Sequence, residues 1–148
     1  MLFILYNALM KIEKCINYLL TQTQIKVNQK FRENLSACRV TPAQYFMLYY
    51  LWEEDGLSPT QLANSSGLDT STVTGLLTRL EEKNFITRKN STDDRRSVNV
   101  YLTKSGSALK DSIDPIIKKS NNDVLSGFSE KEKAFLENSL LRILEICN

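Results

Sequence analysis

Ser71, Thr72, Thr74 and Thr78 fall within one short run, "STVTGLLTR" at 71–79, with Gly75 and Arg79 set among them. Small hydroxyl side chains bond phosphate oxygens or base edges, and an arginine adds a charged donor. Val73, Leu76, Leu77 and Leu80 recur at the spacing of a buried helical stripe. On a helix with that stripe turned inward, Ser71, Gly75, Thr78 and Glu82 point straight outward, Thr74 lies on one flank, and Thr72 and Arg79 on the other. Gly75 weakens such a helix by about 1 kcal/mol relative to alanine, yet it occupies the centre of the polar face. A helix of this kind fits the major groove of duplex DNA; any solvated helix also carries Ser, Thr and Arg.

A second set of charged residues follows. Asp94, Arg95 and Arg96 lie in "NSTDDRR", which is rich in turn formers, between "FITRK" and "SVNVYL", which alternate or are β-branched. The pattern predicts a β-hairpin with a charged tip. An arginine on a thin hairpin can enter the minor groove, where the negative potential is enhanced. A carboxylate two residues before it can hold the guanidinium by a bidentate bond. Arg88 and Lys89, on the first strand, are either phosphate contacts or ordinary exposed strand residues. A solvated, nearly neutral turn is the bland reading of the tip.

Catalysis finds little support. The chain has no histidine, which removes the commonest general base and the commonest transition-metal ligand. It carries no phosphate-binding loop, dinucleotide fingerprint or nucleophile elbow. No metal or cofactor is expected, and the chain reads as not an enzyme.

The 148 residues suffice for one domain with a core, and the 5 Gly and 3 Pro favour long helices. The net charge of +2 indicates no partner. Basic character is local: Lys11, Lys14, Lys26, Lys30, Arg32 and Arg39 outweigh Glu13 and Glu33 in the first forty residues, and the hairpin region is again basic. That suits a small anionic contact surface. Three cysteines without metal-ligand spacing suggest a reduced, cytoplasmic setting. The apolar opening "MLFILYNALM" is too short to span a bilayer and lacks the flanks of a signal peptide.

Leu5, Leu9, Ile12, Ile16 and Leu19 step by four and three, the seam of a helix packed on another helix. Val27, Phe31 and Leu35 resume it, predicting one continuous first helix of about thirty residues, whose obvious cover is a second chain. "TPAQ" at 41–44 and Ser58-Pro59 are helix starts, and Gly67 separates two short helices as a helix-turn-helix requires. Thr103 starts a further helix that Pro115 is expected to kink or reset. Ser129 and Glu132 form a capping box ahead of the apolar stripe Phe135, Leu136, Leu140, Leu141, Ile143 and Leu144. This stripe either joins the seam in a dimer or packs within the chain.

A helix-turn-helix followed by a two-stranded hairpin is a winged helix, and here the sequence resembles the MarR family of bacterial transcriptional regulators. The resemblance rests on "LSPTQLA", "LDTSTVTGLLTRLEEKNFITR" and "DDRRSVNVYLTKSG" within residues 40–109. It implies a mainly α fold with a small β-hairpin wing, and a winged core flanked by long N- and C-terminal dimerisation helices. The expected division is 1–37 for the N-terminal dimerisation helix, 38–103 for the DNA-binding region and 104–148 for the C-terminal dimerisation helices, intertwined as one domain. By resemblance Asp94 and Arg96 are the family's aspartate-arginine pair. A repressor is implied, binding double-stranded DNA at a pseudo-palindromic operator as a homodimer, with helix 70–83 in the major groove and wing 90–97 in the minor groove. The DNA-contacting candidates are Ser58, Gln61, Ser71, Thr72, Thr74, Gly75, Thr78, Arg79, Arg88, Lys89, Asp94, Arg95 and Arg96. The dimerisation candidates are Leu5, Leu9, Ile12, Ile16, Leu19, Leu136, Leu140 and Leu144. At Gly75, where the family often carries a larger polar residue, the glycine either lets the backbone approach the bases or marks reduced base readout.

Family members also bind small aromatic or lipophilic effectors beside the dimerisation helices, where Tyr45, Tyr49, Tyr50 and Trp52 supply aromatic surface; aromatics at helical spacing also serve as core. Others sense oxidants through a cysteine near the start of the first helix. Cys15, with Tyr6 and Tyr18 nearby, invites that reading, but it is expected well inside the helix near the apolar seam, and Cys38 in a more exposed loop. The alternatives are therefore an oxidant sensor through Cys15 or Cys38, or a winged helix used for protein interaction or non-specific DNA binding.

Overall fold

Three capping boxes fix where helices begin. Thr41 Oγ1 accepts from Gln44 N at 3.3 Å while Gln44 Oε1 accepts from Thr41 N at 3.2 Å. Ser58 with Gln61 and Ser129 with Glu132 repeat the arrangement. Such reciprocal bonds satisfy the first orphan N–H groups of a helix, and Pro42 and Pro59 follow at first helical positions, where a missing N–H costs nothing.

The computed structural model describes residues 11–90 and 98–147. Its helices are α1 (Ile16–Leu35), α2 (Pro42–Glu53), α3 (Pro59–Ser66), α4 (Thr70–Glu82), α5 (Lys104–Val124) and α6 (Glu130–Ile146). Between α4 and α5 lie β1 (Ile86–Asn90) and β2 (Val98–Leu102), antiparallel, with Arg88 opposite Val100. Leu57 adds a bridge to β2: Val100 N donates to Leu57 O at 2.9 Å, and Gly56 N to Val100 O at 3.0 Å. The chain is thus mainly helical with a β-hairpin wing, as the residue pattern predicts.

The core lies where α2, α3, α4 and the hairpin meet. Met47, Leu48 and Leu51 of α2, Leu62 of α3, Val73, Leu77 and Leu80 of α4, Ile86 and Val100 are all buried, and Leu35 and Ile113 extend the core to α1 and α5. Gly67 closes α3 in a left-handed conformation (φ 67°), which a side chain resists, and turns the chain into α4. At its far end α4 stops in a Schellman motif. Asn84, at φ 60°, donates to Glu81 O at 2.8 Å, and Phe85 N donates to Leu80 O at 3.0 Å. Lys83 then crosses to the start of α2, donating to Arg39 O at 2.7 Å and to Gln44 Oε1 at 2.8 Å.

Three expectations are corrected. The first helix is interrupted. A 3-10 turn, Ile12–Lys14, precedes an extended Cys15 (φ −71°, ψ 117°), and α1 begins only at Ile16. Cys15 O accepts the first helical bond, from Leu19 N at 3.0 Å; neither proline nor glycine marks the break. Leu5 and Leu9 lie outside the described residues. Second, Cys15 accordingly sits at the N-cap of α1, half-buried, and Cys38 is also half-buried, in a 3-10 turn packed against the core. Third, of the kink or reset expected at Pro115, the reset does not occur: α5 runs through it. The packing of its buried Ile113 and Ser120 on either side spans the missing N–H.

Candidate nucleic-acid interface

Helix α4 presents the face that its stripe predicts. Val73, Leu76, Leu77 and Leu80 are buried, while Ser71, Thr72, Thr74, Gly75, Thr78, Arg79 and Glu82 are exposed. A Cβ placed on Gly75 would meet nothing within 4 Å, so no intramolecular packing requires the glycine.

The N-terminus of α4 is organised by Asp69. Its Oδ1 accepts from Thr72 N at 2.9 Å, capping the helix, and from Ser71 Oγ at 2.5 Å; its Oδ2 accepts from Thr72 Oγ1 at 2.5 Å. The hydroxyl bonds from Ser71 and Thr72, followed by the Thr72 amide, hold the Asp69 carboxyl far below the usual carboxylate range. One turn on, Thr74 Oγ1 donates to Thr70 O at 2.8 Å, and Thr78 Oγ1 to Thr74 O at 3.0 Å.

Arg88, expected to be either a phosphate contact or a bystander, reaches from β1 across α4. It pairs with Glu81 Oε2 at 3.1 Å and donates to Thr74 O and Thr78 Oγ1, both at 3.1 Å. Glu81 Oε1 also accepts from Arg88 N at 3.0 Å. The guanidinium therefore locks strand to helix at the edge of the exposed face. Lys89 is exposed and lies over the Tyr101 ring, 5.3 Å from its centroid. Ser58 and Gln61 serve the capping box of α3, with Gln61 exposed. Asp94, Arg95 and Arg96 lie outside the described residues.

Reading by residue type missed two contributors. Asp69 is legible as a cap in "DTST", but not as the partner of two outward hydroxyls. Glu81 counts in sequence only as charge balance for Arg79 and Lys83, whereas in the fold it serves Arg88, and Lys83 points away to Arg39 and Gln44. Among the described residues no group of Cys, Asp or Glu side chains is arranged to hold a metal, and no helix is long and apolar enough to cross a membrane.

A helix-turn-helix whose second helix stands clear on a polar face, followed by a β-hairpin, defines a winged-helix DNA-binding protein. Comparison with known proteins gives the family. The MarR family model matches residues 40–98. The organic hydroperoxide resistance transcriptional regulator of Bacillus subtilis is 34% identical over 102 residues, 69% of this chain and 69% of that protein. PecS, an HTH-type transcriptional regulator of Dickeya dadantii, is 39% identical over 87 residues, 59% of this chain and 52% of that protein. Among solved structures, a MepR–DNA complex from S. aureus superposes with a TM-score of 0.80 at 28% identity, covering 88% of this chain and 97% of that one. A MarR mutant from E. coli complexed with operator DNA gives 0.82 at 25%, covering 87% and 93%. The chain belongs to the MarR family and is a DNA-binding transcriptional regulator, not an enzyme.

Proposed function

We propose that the chain represses transcription in the bacterial cytoplasm as a homodimer on a pseudo-palindromic operator. Its α4 helices enter successive major grooves, about one helical turn apart, and its wing tips, with Arg95 and Arg96, enter the minor grooves. The observation that carries this reading is the isolation of α4's outer face: every apolar residue of its stripe is inward, and the outward residues are small, polar or Arg79. Gln61 and Ser58 extend the footprint to phosphates. Gln61 Oε1 is taken by the capping box, which leaves its amide hydrogens free to donate.

The dimer is supported by apolar side chains that the chain's own core does not cover. Ile12, Ile16 and Leu19 near the start of α1, and Leu140, Leu141 and Leu144 on α6, are exposed, and Leu136 is half-buried. Release by a small aromatic or lipophilic effector is proposed for the aromatic face of α2. There Phe46 and Tyr49 are exposed beside Tyr45, with Tyr50 and Trp52 packed on the core.

The deciding experiment is selection from a randomised duplex pool with the full chain, followed by titration of the enriched duplex over a salt series. A pseudo-palindrome bound by two chains, far more tightly than random duplex at the same salt, is expected. Equal affinity for both duplexes with a steep salt slope would instead indicate non-specific binding.

A second reading is favoured by the placement of Cys15. Cys15 stands at the N-cap of α1 and is only half-buried, within reach of an oxidant, and one relative is named for organic hydroperoxide resistance. Here the release signal is oxidation of Cys15. Treatment with an organic hydroperoxide is expected to lower DNA binding by wild type and to leave Cys15→Ser unaffected; equal loss in both excludes Cys15 as the sensor.

A further inference from the structure

The four hydroxyls on the outer face of α4 share a property that residue types do not disclose. Each hydroxyl has one hydrogen to donate and two lone pairs to accept with. Ser71 and Thr72 turn their hydroxyls to the Asp69 carboxylate, and Thr74 and Thr78 to the carbonyls of Thr70 and Thr74. An ionised carboxylate and a carbonyl can only accept, so in all four bonds the hydrogen must come from the hydroxyl. Thr78 additionally spends a lone pair on Arg88. What each hydroxyl retains for an outside partner is lone pairs, and the exposed Thr72, Thr74 and Thr78 also carry γ-methyl groups.

From this polarity we infer that the recognition helix is an acceptor-and-methyl surface that selects adenine–thymine pairs. The inference rests on α4 entering the major groove, as proposed above. In that groove only adenine N6 and cytosine N4 offer hydrogens, whereas guanine, the N7 and O4 atoms and every phosphate oxygen are acceptors. While these internal bonds are kept, the four hydroxyls can bond an exocyclic amino group but neither guanine nor a phosphate. Adenine is preferred to cytosine because its partner thymine carries a methyl that threonine methyls can pack against, while cytosine's partner guanine sets two further acceptors beside the contact. Gly75, with open space where a Cβ would lie, lets the helix backbone come close enough for these short side chains to reach.

The test starts from the duplex that the full chain selects. Each half-site adenine is replaced in turn by purine, which lacks the amino group and keeps N7, and by 7-deazaadenine, which keeps the amino group and lacks N7. Loss of the amino group is expected to weaken binding about fivefold or more at one or more adenines per half-site, and loss of N7 to change it less than about twofold. Equal sensitivity to both replacements, or a half-site read through guanine by α4, overturns the inference. Asp69→Asn supplies an independent arm. Asparagine still caps Thr72 N, but its amide donates to the Thr72 hydroxyl and frees that hydrogen to point outward. The variant is expected to accept thymine O4 or guanine at one position of each half-site. A selected sequence identical to that of wild type, with helicity unchanged, also overturns the inference. If no sequence is enriched although random duplex is bound, it is the operator reading itself that fails, and this inference with it.

Discussion

Arg88 is placed to position the wing against α4 through contacts within the chain. Its side chain is three-quarters covered, and its guanidinium is divided among Glu81, Thr74 O and Thr78 Oγ1. It therefore sets the angle between wing and recognition helix. Arg88→Ala is expected to weaken operator binding about tenfold, and Glu81→Ala similarly, with the double variant no worse than either alone, as for residues that act as a unit. The salt slope should stay at the wild-type value, whereas deletion of a true phosphate contact would reduce it by about one. A gain of affinity in Glu81→Ala would show that Glu81 acts only as a repelling charge, and the positioning role would be lost. Asp69 gives the second prediction at this scale. Its carboxyl titrates below the ordinary range because the native state bonds its charged form. Its stabilising contribution is therefore complete above the unfolded pKa of about 3.9 and disappears as pH falls through the lower native value. The stability gap between wild type and Asp69→Ala, measured by denaturant at successive pH values, should be open near neutrality and narrow as the solution is acidified below about pH 4. A gap independent of pH would mean that the carboxylate contributes only shape.

At the scale of elements, the joint between α4, the hairpin and α5 is the most constrained. Thr103 N donates to Phe85 O at 3.0 Å, Gly106 N to Thr103 Oγ1 at 3.0 Å, and Trp52 Nε1 to Gly106 O at 3.0 Å. A Cβ on Gly106 would stand 1.9 Å from Phe85 O, a backbone atom that cannot rotate aside. Gly106→Ala is expected to cost about 2 kcal/mol in urea unfolding, as overpacking of a tight site does; wild-type stability would mean that α5 can shift freely on the hairpin. Much of this level was legible beforehand, because capping boxes, a buried stripe and a β-branched hairpin are local patterns. The glycine's role was not legible, since Phe85 and Gly106 are brought together by the closure of the hairpin. The break at Cys15 was hidden too, as the four-three spacing of Ile12, Ile16 and Leu19 continues through it unchanged. In the site the same division holds: which residues of α4 face outward follows from periodicity, but where their hydroxyl hydrogens go depends on neighbours one turn away and on Asp69.

For the whole molecule the decisive feature is α6, which contributes no buried residue and, among the described residues, lies packed along no other helix. Phe135, Leu144 and Ile146 are 76%, 64% and 75% exposed, and Ile12 and Ile16, near the other chain end, are 59% and 58% exposed. Exposed apolar surface of this kind marks an association site. It does so here on two segments that the chain's own core leaves out, which is what an interface built from both chain ends requires. Joining two winged helices turns the second half-site contact into an intramolecular one, and this raises affinity without any new contact to DNA. The variant Ile16→Asp/Leu144→Asp should therefore keep its helicity, sediment as a monomer and bind a single half-site as wild type does. On the two-half-site duplex it should lose about a hundredfold or more. The single half-site serves as the internal control, because damage to α4 would weaken both duplexes together. If the double variant still sediments as a dimer, the interface lies elsewhere; if it is monomeric yet binds the full operator as tightly as wild type, the two half-sites are not read by one joined pair.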